Sequence, residues 1–311
     1  MRPKLPNEPD PIGALAALPE LEGVTFCRIL RDAPSWTVCE IWLRGRPAFL
    51  KQFRHCQRAE TIARTVTRLH EAAALLGQAE NAVTLPVLVL PEHGVIVTEA
   101  ARGRPLANIL ARAPAARRAA LIGRVGLWLA ALCHASRERG GFGAMFWIRR
   151  LEERVAATEA DWIDSGLVAS HMQIMRAEAR GLRGTEVERA AIHGDLTPDN
   201  LFFDTPGNRM TGLDMHGRSV VPVAHDMARL LVWLESRRRR RATERIDGIA
   251  AQDYRALVAT PGLMGADQVP ILRLMIGLLA LEFYLDSGRQ PRRRQALVRC
   301  LGDWAAVRPG P

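Results

Sequence analysis

The chain has no Cys-x-x-Cys pair, and its five cysteines, Cys27, Cys39, Cys56, Cys133 and Cys300, are an odd number. Neither a disulfide framework nor a zinc site is indicated, and a reducing cytosol is the expected compartment. A bilayer-crossing run is also missing, because the longest apolar stretch, Ile271 to Leu285, is short and broken by Arg273 and Glu282. No signal peptide is expected from Met1 to Pro11, which is proline-rich and holds Glu8 and Asp10 where an apolar core is required. Residues 1–23 are expected to form a flexible leader. No internal repeat or low-complexity segment occurs in the 311 residues, which suffice for two lobes or one large domain with a buried core.

Acid is in short supply. Lys and Arg number 43 against 33 Asp and Glu, a formal net charge of +10, and such a field concentrates anions around a protein. Much of the excess lies late in the chain, in Arg237 to Arg241 and Arg292 to Arg294. Runs of this kind ordinarily form solvated helix ends or loops, and a nucleic-acid or anionic-surface site is the alternative.

Val24 to Leu30, Trp36 to Leu43 and Ala48 to Phe53 have strand composition, separated by Arg31 to Ser35 and Arg44 to Pro47. Arg58 to Leu76 places Ile62, Val66, Leu69, Ala73 and Leu76 at helical spacing, with Glu60 and Glu71 on the opposite face. Leu85 to Leu90 and Gly94 to Glu99 add two strands and complete a five-stranded sheet. A domain boundary is expected near residue 100.

Beyond it the pattern is helical. Leu121, Val125, Trp128, Leu129 and Leu132 form a stripe that ends at Cys133 and His134, the latter read as a core or cap histidine. Gly140 to Ala191 is largely helical and carries Glu152, Glu153, Glu159, Asp161 and Asp164. These acids suit a cationic ligand, although scattered acids on helices are ordinarily solvated.

The most informative stretch is Ile192-His193-Gly194-Asp195-Leu196-Thr197-Pro198-Asp199-Asn200-Leu201-Phe202-Phe203-Asp204, followed by Thr211-Gly212-Leu213-Asp214-Met215-His216. Leu201 to Phe203 and Leu213 to Met215 flank a Gly/Asn turn and are expected to pair as a buried hairpin that presents Asp195, Asn200 and Asp214 together. Asp195 can accept a hydroxyl proton, while Asn200 and Asp214 offer the hard oxygens that Mg²⁺ prefers. Singly, His-Gly-Asp and Pro-Asp-Asn are ordinary turn chemistry. The ordered set is what points to phosphoryl transfer.

His-x-Asp-x-x-x-x-Asn with a second Asp about fourteen residues after the Asn resembles the catalytic and metal-binding segments of the protein-kinase-like superfamily. Gly194 after His193 resembles the aminoglycoside phosphotransferase and choline kinase branch, over roughly residues 24 to 285. The resemblance implies an α+β, two-lobed kinase-like fold: a nucleotide-binding lobe at 24–100, with a five-stranded antiparallel sheet and one helix, and a larger, mainly helical catalytic and substrate-binding lobe at 101–311. It implies ATP as donor, with GTP not excluded, Mg²⁺ as cofactor, and a small-molecule hydroxyl (aminoglycoside, sugar or choline-like) as acceptor.

Residue by residue, the resemblance makes Asp195 the catalytic base and Asn200 and Asp214 the metal ligands. Lys51 would meet the nucleotide phosphates, braced by Glu71 in preference to Glu60. Ser35 lies in Asp32 to Trp36, where the family folds over the phosphates, yet this loop has no glycine. Glu99 and Ala101 fall at the hinge whose backbone reads the base, and Asp226 would brace the catalytic loop. The helices after Gly140 resemble substrate-binding helices. Met215-His216 replaces the Phe-Gly of protein kinases, so no mobile activation segment is expected. Two alternatives stay open: a nucleotide binder without transfer activity, from the glycine-free loop, and a polyanion-binding protein, from Arg237 to Arg241.

Overall fold

A computed structural model describes residues 15–215, 220–288 and 290–307; His216 and most of the expected leader lie outside them. The chain divides into two compact units: one joins the chain up to Ala73 with Thr84–Ala101, and the other joins Ala74–Val83 with Arg102–Pro311.

In the first unit, β1 (Thr25–Ala33), β2 (Trp36–Leu43) and β3 (Arg46–Phe53) precede helix α1 (Arg58–Leu76), whose last residues, from Ala74, belong to the other unit. The short strand β4 (Asn81–Val83) belongs to the other unit, and β5 (Pro86–Leu90) and β6 (Val95–Glu99) return to this one. The sheet has the order β1-β2-β3-β6-β5, and every neighbouring pair is antiparallel.

Alternation along the strands puts Cys39, Ile41, Ala48, Leu50, Val95 and Val97 on one buried face. Leu15 and Leu21 are buried against that face. The leader expected at 1–23 is therefore packed in its last third, because an apolar sheet face must be covered. On α1, Ile62, Leu69 and Leu76 are buried as their spacing requires. The loop expected at Asp32 to Trp36 is tighter than read: β1 runs to Ala33, which pairs with Trp36, leaving Pro34-Ser35 as a two-residue turn. Asp32 holds the strand ends closed, accepting from Thr37 Oγ1 at 2.8 Å and pairing with Arg54 at 2.5 Å.

The second unit continues with β7 (Arg104–Pro105), α2 (Leu106–Leu110), α3 (Ala115–Cys133), β8 (Glu138–Gly141), α4 (Ala144–Ala156), α5 (Ser165–Gly181) and β9 (Glu186–Ala191). Next come β10 (Leu201–Asp204), β11 (Arg209–Gly212), β12 (Val220–Pro222) and α6 (Val223–Ser236). The hairpin β13 (Arg245–Ile246) and β14 (Ile249–Ala250) leads into α7 (Ala251–Val258), α8 (Val269–Leu285) and α9 (Pro291–Ala306). Its sheets have the orders β4-β11-β10-β7, β12-β9-β8 and β13-β14.

The core of this unit is α8, apolar except at Arg273 and Glu282 and packed against α6 and α9. Trp304 of α9 is fully buried and donates Nε1–H to the Arg273 carbonyl at 2.8 Å. By length and composition alone, Ala115–Ser136 and Ala266–Leu285 are each sufficient to cross a membrane. The absence of such a span, expected from Ile271 to Leu285, overlooked the helical residues before Ile271. In the fold the second of these segments is 78% buried as a core helix.

The hairpin that follows Asn200 is shifted from its expected position. Leu201 pairs with Gly212 and Asp204 with Arg209, so the second strand is Arg209–Gly212 and Leu213 to Met215 lies beyond it. Parallel pairing with β4 (Met210 to Asn81, Gly212 to Val83) recruits this less apolar segment into the sheet.

Candidate active site

The loop from Ile192 to Asn200 joins β9 to β10. Gly194 has φ +87°, a conformation that a side chain disfavours, so glycine after His193 is a backbone requirement. Asp226, in the first turn of α6 and fully buried, accepts from the His193 amide at 2.7 Å and from the Gly194 amide at 3.1 Å. A carboxylate is favoured at a helix N-terminus, and here it also satisfies two buried donors. Asp226 thus braces the loop as the resemblance implied.

His193 is fully buried. Its Nδ1 accepts from the Asp195 amide at 3.2 Å, which leaves the proton on Nε2 to donate to the Leu213 carbonyl at 2.8 Å. This neutral ring ties the loop to the end of β11. Leu213 in turn donates its amide to the Asn200 carbonyl at 2.9 Å, which sets Asp214 next to Asn200. Asp214 has φ +52°, a left-handed conformation that Asp tolerates better than bulkier residues.

The Asp195 carboxylate is held at both oxygens. The Asn200 side-chain amide donates to Asp195 Oδ2 and to the Asp195 backbone carbonyl, each at 2.9 Å. This leaves Asn200 Oδ1 as the oxygen it can offer a cation. Arg229 donates to Asp195 Oδ1 from Nε at 2.7 Å and Nη2 at 2.5 Å. Sequence reasoning missed Arg229. The available signal was its position three residues after Asp226, one helical turn along the same face of α6.

The first unit holds the other residues singled out from the sequence. Lys51 on β3 lies opposite Val38 and Ile96, its ammonium 5.3 Å from the Trp36 ring centroid and 5.2 Å from that of Phe53. Ser35 precedes Trp36, and its carbonyl accepts the Arg54 amide at 2.8 Å. Glu71 on α1 is partly exposed, 3.9 Å from the buried Arg68 guanidinium. Glu99 ends β6, opposite Ala48 and hydrogen-bonded through its amide to Leu85 at 3.1 Å. Ala101 is the last residue of the unit. Ser35 and Lys51 are therefore neighbours through Trp36, whereas Glu99 and Ala101 lie at the far end of β6 from the Lys51 register.

The model of the phosphotransferase enzyme family matches residues 35–261, a span that includes every one of these positions. The chain belongs to this family. Among solved structures, the phosphotransferase is similar to aminoglycoside phosphotransferase APH(4)-Ia, at 15% identity and TM-score 0.64 over 96% of this chain and 98% of that one. It is similar to the GDP and kanamycin complex of APH(2")-IIia, at 15% identity and TM-score 0.62 over 92% and 93%. A thermostable mutant of APH(4)-Ia in ternary complex with ADP and hygromycin B aligns at 14% identity and TM-score 0.60, over 92% and 95%. At such identities the likeness concerns the fold, and it is the kinase-like α+β fold expected. No curated protein matches the phosphotransferase.

Proposed function

We propose that this phosphotransferase moves the γ-phosphoryl group of ATP to a hydroxyl of a small molecule, with Asp195 as the residue that receives the hydroxyl proton. The observation that carries the reading is the fixed Asp195 carboxylate, held by Asn200 and Arg229 on a loop whose amides are clamped by Asp226. The acceptor oxygen bonds to the γ-phosphorus, the bond from that phosphorus to the bridging oxygen breaks, ADP leaves, and the proton passes to Asp195. Orienting the carboxylate in advance lowers the entropic part of the barrier.

Mg²⁺ fits the donors present. Among the described residues no group of three His, Cys, Asp or Glu is placed to hold a metal unaided, but Mg²⁺ takes one or two protein oxygens and completes its shell with phosphates and water. Asn200 Oδ1 and the Asp214 carboxylate would hold it, and it would neutralise charge on the phosphates. In the first unit, Lys51, braced by Glu71, would hold phosphate oxygens as a compact charge, with Ser35 beside it in the turn. Glu99 and Ala101 would offer backbone groups to the base. Backbone recognition suits ATP and GTP alike, and the similar solved structures include ADP and GDP complexes. The odd number of cysteines, with no Cys-x-x-Cys pair, supports a reducing, cytoplasmic compartment for this chemistry.

Acceptor-dependent ADP release over a panel of hydroxyl compounds tests the reading. Asp195→Asn should lower turnover by about 10²–10⁴-fold while AMP-PNP affinity stays as in the wild type. Equal turnover in the two proteins would contradict it.

A further inference from the structure

We propose that the acceptor is an anion: a hydroxyl compound carrying a phosphate or carboxylate group, held by Arg293 and the arginines around it. The inference rests on the phosphotransferase reading and names the substrate class of the same site.

It starts from Phe283 of α8. The Arg229 guanidinium, which pairs with Asp195, is 5.4 Å from the centroid of this ring, and the Arg293 guanidinium is 5.1 Å from it. The Phe283 ring is thus shared by Arg293 and by Arg229, the arginine that holds the proton acceptor Asp195. Arg293 also lines a cavity of about 660 Å³, together with Arg237, Arg238, Arg239, Arg292 and Arg299. The remaining lining residues are Ser236, Gln290, Pro291 and Gln295, so no carboxylate faces the cavity among the described residues. Its volume is that of an ordinary small-ligand pocket.

The charges in this cavity are unevenly compensated. Arg238 is neutralised by Glu235 and Asp253, and Arg237 lies 3.8 Å from Asp199. Arg293 has a buried Nε with no hydrogen-bond acceptor. Burial lowers the pKa of its guanidinium, with the nearby charges of Arg237 and Arg229 adding to that effect and Asp286 and Asp199 opposing it. Arg292, Arg293 and Arg294 also occupy the first turn of α9, where the helix dipole disfavours cations. An anionic group placed here would relieve all of these costs together, through charge-assisted hydrogen bonds.

A cationic acceptor meets the opposite field. The acids between Gly140 and Ala191 that suit a cation are in part committed elsewhere: Glu152 bonds to Arg176 and Asp164 caps α5. The arginine run does not form a continuous track for a polyanion, since Arg238 pairs with Asp253 and Arg241 with Asp303.

Calorimetric titration at low salt, with AMP-PNP present, compares glucose 6-phosphate, 3-phosphoglycerate, kanamycin and a short single-stranded DNA. The two small anions should bind the wild type, more weakly as salt rises, and lose about tenfold or more in affinity with Arg293→Gln or Arg299→Gln. Arg240→Gln, from the same run but outside the cavity, should bind them as the wild type does. Kanamycin binding in place of the anions, failure of both anions to bind, or unchanged affinity in both cavity variants would overturn the proposal. DNA binding that Arg240→Gln weakens, without small-anion binding, would replace it with a polyanion surface. AMP-PNP binding is measured first on the same samples; its failure would count against the phosphotransferase reading and is distinguishable from failure of the anion arms.

Discussion

Arg229 is the residue on which the reading of this site turns, because it gives Asp195 a fixed orientation that the motif alone does not specify. Its guanidinium meets one carboxylate oxygen and Asn200 meets the other. Arg229→Ala should lower kcat by about tenfold or more, as loss of a charge-assisted bond implies. Arg229→Lys should recover part of that loss, since an ammonium keeps the charge without the two-pronged geometry. Steady-state kinetics of the three proteins would check this, and a lysine variant no better than the alanine variant would argue for a purely steric role. At this scale the sequence was readable where a residue type has one plausible use. The spacing of Asp195, Asn200 and Asp214 is what drew attention to them, and the bond from Asp226 to the loop amides is present as the resemblance implied. Arg229 was not legible, because an arginine on an amphipathic helix has many ordinary partners and only the folded loop shows which one it takes.

The elements show where apolar runs mislead. Leu213 to Met215 has strand composition but lies past the hairpin, while Arg209–Gly212 pairs instead. Two partners outweigh local composition: β10 on one side and the parallel strand β4 on the other. Gly212 belongs to this arrangement. A Cβ there would approach Trp128 Cζ2 to 2.4 Å, and Trp128 is itself fixed by donating Nε1–H to the Ala82 carbonyl at 3.0 Å. Gly212→Ala should therefore cost about 1–3 kcal/mol by overpacking, read as a lower urea midpoint. Because the hairpin carries Asn200 and Asp214 at its ends, turnover should fall with it. The turn at Pro34-Ser35 taught a similar lesson: its tightness comes from Asp32 binding Thr37 and Arg54, contacts that lie several to many residues away in sequence.

Over the molecule as a whole, burial decides between readings that composition leaves open. Ala266–Leu285 has the length and apolarity of a membrane span, yet it is the core helix against which α6 and α9 pack. Trp304 anchors that packing, fully buried, 4.7 Å from the His171 ring and close against Gly277. Trp304→Ala should destabilise the protein by about 3–5 kcal/mol, measurable by denaturant unfolding. A loss below 1 kcal/mol would show that α9 contributes little to the core. The net charge of +10 was legible as an attraction for anions, but its division into paired and uncompensated arginines was not. That division depends on Glu235, a local partner three residues before Arg238, and on Asp253 and Asp303, which reach the run only through the fold.

The most direct measurement follows the γ-phosphoryl group itself. ATP labelled at the γ-phosphate is incubated with Mg²⁺ and a pooled set of hydroxyl metabolites, sugar phosphates and aminoglycosides, using wild-type protein and Asp195→Asn. The account predicts label in a new phosphate ester with wild type alone, recovered by fractionation with the acid-bearing acceptors. Label transferred equally by Asp195→Asn, or none transferred by a wild-type protein that binds no nucleotide, would contradict it.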